Sequence, residues 1–114
     1  MTAPHDVPTA EQLVESVREW IERDVIPGTE GRLQFHARVA LNVLAMVERE
    51  LAQGPQQAAD HAARLTALGV ADEAELAAAI RDGSLDDRLD EVRQAVRSTV
   101  EDKLRVANPK YLQT

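Results

Sequence analysis

The segment Leu33 to Ala52 constrains the fold most, because its apolar residues recur at helical spacing and wrap most of the way round the wheel. Phe35, Val39, Val43, Met46 and Val47 make one face, and Ala37, Leu41, Leu44 and Leu51 extend onto the other. A helix apolar nearly all round predicts burial nearly all round. The segment is therefore expected to be a central rod enclosed by its neighbours. Gly54-Pro55 is expected to stop it, with Pro55 opening a further helix, since a missing N–H costs nothing in a first turn.

The rest of the chain fits an all-helical surround. Ala is the commonest residue, with eighteen copies, and the aromatics are only Trp20, Phe35 and Tyr111. Ala, Leu, Glu, Arg and Gln lose little side-chain freedom in helices, whereas sheets favour β-branched and aromatic residues. Thr9 and Gln12 form a capping box that opens a first helix, with Leu13, Val14, Val17, Trp20 and Ile21 in one stripe and Glu11, Glu15, Glu19 and Glu22 elsewhere. Pro27-Gly28 ends it, and Gly28 with Gly31 predicts a loose connection.

After the rod, a third helix is expected over Pro55 to Leu68, with Gly69 as a left-handed cap. Asp72-x-x-Glu75 opens a fourth, which runs to Gly83, and Ser84-x-x-Asp87 opens a fifth. The fifth carries Leu85, Leu89, Val92, Val96, Val100 and Leu104 at steps of three and four, and ends before Asn108-Pro109. The prediction is an all-α, compact bundle of about five helices around a buried helix at 33–52. A flexible arm (1–8) precedes the helical domain (9–107), and a tail (108–114) either docks by Tyr111 and Leu112 or stays loose. At 114 residues the chain is expected to be one domain.

Charge narrows the function. Twenty acids against thirteen bases leave −7, with only two Lys, so no basic face emerges. Nucleic acids and anionic membranes are disfavoured as partners. Without Cys there is no disulfide, thiolate metal site or thiol nucleophile. No apolar stretch of some eighteen residues, and no basic-then-apolar leader, points to a membrane or to export. The expected location is the cytoplasm of a bacterium-like cell.

One polar strip interrupts the rod. Arg38, Asn42 and Arg49 fall within about 40° on the wheel. Two guanidinium forks and an amide could hold a carboxylate or phosphate, as on an acyl-CoA or a phosphate ester. The structural reading, preferred here because fold-holding ion pairs outnumber anion sites, pairs the arginines with acids of the first or fifth helix and lets Asn42 tie down a loop or helix end. Asn42→Leu is then neutral if the amide faces solvent, and costs more than about 1 kcal/mol if it satisfies buried backbone groups.

His36 and Glu50 are ~21 Å apart along the helix and cannot share a ligand. His36 is expected to be partly buried and bonded to backbone or carboxylate. His5 and His61 lack a second ligand at metal-site spacing. With no phosphate loop, dinucleotide fingerprint or nucleophile elbow, the sequence points away from an enzyme and implies no catalytic residue, no metal and no cofactor.

The run Gly31-Arg32-Leu33-Gln34-Phe35-His36-Ala37-Arg38-Val39-Ala40-Leu41-Asn42-Val43-Leu44, continued by Glu48-Arg49-Glu50-Leu51, resembles a small bacterial domain family of unknown function. Ile80-Arg81-x-Gly83 and Asn108-Pro109-x-Tyr111-Leu112 follow in the same order. The resemblance implies an all-helical domain encoded beside, or fused behind, aminoglycoside-phosphotransferase-like and acyl-CoA dehydrogenase-like proteins. It puts weight on Phe35, His36, Arg38, Asn42, Arg49, Glu50, Arg81, Asn108 and Tyr111, but implies no activity. Together these readings favour a non-catalytic accessory or protein-interaction module that meets such an enzyme or pairs with itself. The alternative is a binding domain for a small anionic metabolite through Arg38, Asn42 and Arg49.

Overall fold

The structure, a computed structural model, describes residue 4 and residues 6–113; residues 1–3 and 5 of the expected arm, His5 among them, lie outside the described residues, as does Thr114. What is described is all-helical. Four α-helices follow one another: α1 (Ala10–Trp20), α2 (Gly31–Ala67), α3 (Glu73–Asp82) and α4 (Leu89–Ala107). A π-helical turn, Ile21–Val25, prolongs α1, and 3-10 turns at Asp86–Arg88 and Pro109–Leu112 flank α4. The chain divides into two compact units, one ending at Gln53 and one beginning at Gly54.

Two expectations are corrected. Gly54-Pro55 does not stop a helix: Pro55 lies inside α2, so the expected second and third helices are one. An interior Pro removes a single ladder bond and crowds one carbonyl, at a cost of about 3 kcal/mol. The flanking Ala-, Leu- and Gln-rich turns resume the ladder at once. Gly54-Pro55 coincides instead with the boundary between the units. Nor is the rod over 33–52 enclosed. Ala37 is its one buried residue, while Phe35 is 63% and Val43 52% exposed. Within the first unit only α1 and its π turn are available to cover it.

In the first unit the capping box forms as expected. The Thr9 backbone N–H donates to Gln12 Oε1 at 2.8 Å, and the Gln12 N–H donates to Thr9 Oγ1 at 3.2 Å. The connection expected to be loose is held. The Gln34 amide donates to the carbonyls of Ile26 (3.0 Å) and Thr29 (2.9 Å), and the Thr29 hydroxyl donates to Val25 O at 2.6 Å, satisfying acceptors that a helix end leaves open. Gly28 is required here, because a Cβ would meet Asp24 O at 2.8 Å. At the far end Arg18 Nε donates to Glu48. Ties at Gln34 and Glu48 lay α1 antiparallel along the first half of α2, with Ile21 and Ala37 buried.

The second unit has a cluster of its own. Leu68, Leu85 and Val92 are buried together, with Val70, Leu76, Ala79 and Ala95 packed against them. Gly69, at φ 78°, ends α2: its N–H donates to Thr66 O (2.9 Å) and the Val70 N–H to Leu65 O (3.1 Å), which turns Val70 back onto the cluster. Asp72 caps α3 by accepting the Glu75 N–H at 2.8 Å, and Glu75 reaches back to the Ala71 N–H at 2.6 Å. Ser84 does not cap the last helix. Its N–H donates to Asp82 at 2.8 Å, its hydroxyl bonds the same carboxylate, and α4 starts at Leu89 without a side-chain cap. These donors hold the Asp82 carboxyl below its ordinary pKa. The tail winds into its 3-10 turn with Tyr111 70% exposed.

Candidate functional site

In the first unit, helix geometry sorts the side chains onto two sides. At about 100° per residue, Leu13, Val17 and Trp20 lie about 40–100° round α1 from buried Ile21. Val47 and Val43 lie about 80–120° round α2 from buried Ala37 in the same sense. For antiparallel helices in contact, equal sense means the same side of the pair. That side is apolar and largely open, with Leu33 on it; Val39 and Met46 continue it to the back of α2, where Phe35 stands about 20° from Asn42, all exposed. The opposite sense carries Glu11 and Glu15 on α1, Glu22 on its π turn, and Arg38, Asn42 and Arg49 on α2. The unit is a two-helix layer with one apolar and one charged side.

The expected site residues fall as follows. Arg38 and Asn42 are exposed and make no hydrogen bond or ion pair among the described residues. Arg49 is half-buried and partnered. All three share a side with the α1 carboxylates. His36, expected to be partly buried, is exposed, and its ring meets Phe35 edge-on at 5.5 Å. Glu50 is exposed on the same helix. Arg81, in the last turn of α3, is exposed. Asn108 caps α4, donating its N–H to Leu104 O at 2.7 Å and accepting the Tyr111 N–H at 3.1 Å. Phe35 stands on the back of α2, between the apolar side and Asn42; no ligand-like cluster of the nine residues forms.

The second unit holds a polar cluster that sequence reasoning missed. His61 Nδ1 lies 3.2 Å from Thr99 Oγ1, and His61 Nε2 lies 3.1 Å from Glu73 Oε1. Arg64 Nη2 donates to Thr99 Oγ1 (3.4 Å) and Asp102 Oδ2 (3.1 Å), Arg105 Nη1 donates to Asp102 Oδ1 (2.7 Å), and Gln57 donates to Asp102 O (3.0 Å). Hydroxyl, imidazole and carboxylate stand in the order of a nucleophile relay. A hollow of about 270 Å³ beside them is lined by Arg64, Leu68 and Ser98 but by neither Thr99 nor His61. The cluster works as a clamp between α2, α3 and α4. Arg64 Nε is buried in it without a partner.

Its signal was present in the sequence. Val92, Ala95, Thr99, Asp102 and Val106 repeat at three and four and are all at least half-buried, as are Gln57, His61, Arg64 and Leu68. The expected α4 stripe steps mostly by four, gaining about 40° each time, and so drifts to solvent: Leu89, Val96 and Val100 are exposed.

Residues 27–111 match the family model described as "Domain of unknown function (DUF6285)". The chain belongs to this family. No match was found among curated proteins or solved structures. The DUF6285 match takes in α2, α3, α4, the runs at Gly31 and Ile80 that carried the resemblance and the run at Asn108 as far as Tyr111, and begins after α1. The family description assigns no residue a role. Among the described residues no group of three or more His, Asp or Glu could hold a metal ion, and no helix is long and apolar enough to cross a membrane.

Proposed function

We propose that this DUF6285 chain is a non-catalytic docking module whose first unit is completed by another polypeptide. One observation carries the reading: the exposed apolar side of the α1/α2 layer, with Trp20 57%, Leu33 70% and Val43 52% accessible. Contiguous apolar surface of this kind on a small soluble domain marks an interaction site. The clients favoured by the sequence resemblance are aminoglycoside-phosphotransferase-like and acyl-CoA-metabolising enzymes, in a bacterial cytoplasm. Co-expression with such proteins of the same genome is expected to give co-elution that Val43→Glu abolishes. Co-elution unaffected by Val43→Glu, or failure of the chain to associate with any protein, itself included, contradicts the reading.

A second reading is favoured by the exposed, unpartnered Arg38 and Asn42. With Arg49 they would grip the phosphates of an acyl-CoA or a phosphate ester. Such a ligand is expected to raise the melting temperature by mass action, and Arg38→Ala to remove the rise. A flat response across acyl-CoAs and sugar phosphates contradicts it.

A further inference from the structure

The geometry points to a second copy of this chain as the occupant of the apolar layer, the two layers closing face to face into a four-helix bundle. This rests on the docking reading above and names its partner.

Area supports it first. Leu13, Val17, Trp20, Leu33, Val39 and Val43 are between 45% and 70% exposed, Leu33 at 70% the most. At roughly 120–200 Å² for each such side chain fully exposed, the aromatic at the upper end, they leave roughly 400–600 Å² of apolar surface open. That is the upper part of the range for the largest patch on a monomer. Two such faces supply about 1,000 Å² before their rims are counted, which is about what a specific interface needs.

Charge then selects the partner. The chain carries −7, so its own copy can approach only by a face from which carboxylates are withdrawn. Glu11, Glu15 and Glu22 are on the far side of the layer. Asp24 and Glu50 stand towards opposite ends of the apolar side, Asp24 at the same end as Arg32 and His36, and an antiparallel two-fold contact brings the Glu50 end of one copy to the Arg32 end of the other. A strongly basic client would be drawn to the charged side instead. In a two-fold contact each patch meets its own image, and two antiparallel hairpins meeting by their apolar sides make the ordinary helix bundle. The dimer, and not the single chain, is then what meets an enzyme.

Sedimentation equilibrium of the full chain at 1–100 µM tests this. The expected mass is about 25 kDa, twice the 12.5 kDa chain. The double variant Val17→Glu/Val43→Glu is expected at half that mass with its helical circular dichroism kept, and Glu15→Lys/Glu22→Lys on the far side is expected to stay dimeric. Should the first variant not fold, a photo-crosslinker at Leu13 is expected to trap a second chain, and one at Glu15 is not. A wild-type monomer throughout, or crosslinking from Glu15 alone, overturns the dimer. A monomer that co-elutes with an enzyme in a Val43-dependent way overturns the second copy and keeps the docking reading; a monomer that binds nothing overturns both.

Discussion

The two units solve the same problem differently. The unit beginning at Gly54 folds three helical stretches onto Leu68, Leu85 and Val92, closes its corners with Gly69, Asp72 and Gly83, and ties its helices with half-buried polar side chains. The unit ending at Gln53 has two helices, buries Ile21 and Ala37, and leaves its remaining large apolar side chains half-buried or open. Three helices can surround a cluster, whereas two can only share a seam. The unit without a surrounded cluster is accordingly where an outside partner belongs.

The largest expected effect falls on the self-contained unit. Leu68→Ala empties the centre of its cluster and is expected to lower stability by about 2–5 kcal/mol in urea titration. A loss under about 1 kcal/mol would erase the contrast between the units. Next comes Arg64→Ala. Arg64 and Asp102 are each less than a quarter exposed, and removing the guanidinium leaves Asp102 to Arg105 and Thr99 to His61. A loss of about 1–3 kcal/mol is expected, against about 0.5 kcal/mol or less if the clamp is a surface pair.

The comparison also explains what could be read before the coordinates. The caps at Thr9, Gly69 and Asp72 were legible because each is a local arrangement of three or four residues. Pro55 misled, because a breaker's cost is weighed against a whole 37-residue helix and not against its neighbours. The rod at 33–52 misled for a different reason. Apolar residues all round state that something covers them, but not that the same chain does, and here Val39 and Val43 are left about half exposed. The clamp of His61, Arg64, Thr99 and Asp102 was hidden because its polar members sit in positions where an apolar stripe was sought. The Arg38, Asn42 and Arg49 strip was found as a strip, with acids of the first or fifth helix as its expected neighbours, and the antiparallel pairing puts the carboxylates of the first helix on its side.

Smaller effects sharpen the contrast. Thr9→Ala removes the one side-chain cap of α1 and is expected to cost about 1 kcal/mol. Asn42→Leu, on the charged side and exposed, is expected to stay within about 0.5 kcal/mol; a cost above about 1 kcal/mol would restore the enclosed rod. The smallest effect is titrimetric. Arg88 donates to Glu91 at 3.2 Å and to Ala67 O at 2.8 Å, and that donation holds the Glu91 carboxyl below its ordinary pKa. A depressed folded value contributes stability above the unfolded value of about 4.3, and that contribution is lost as pH falls through the folded one. Carboxyl NMR is expected to show Glu91 titrating low, and to return it to the usual range in Arg88→Gln.

Thermal unfolding across a hundredfold range of protein concentration tests the central claim most directly. A first unit completed by its own copy makes folding and association one equilibrium, so the melting temperature is expected to rise with concentration, and in Val17→Glu/Val43→Glu to become independent of it. A wild-type melting temperature that does not move over that range contradicts the account.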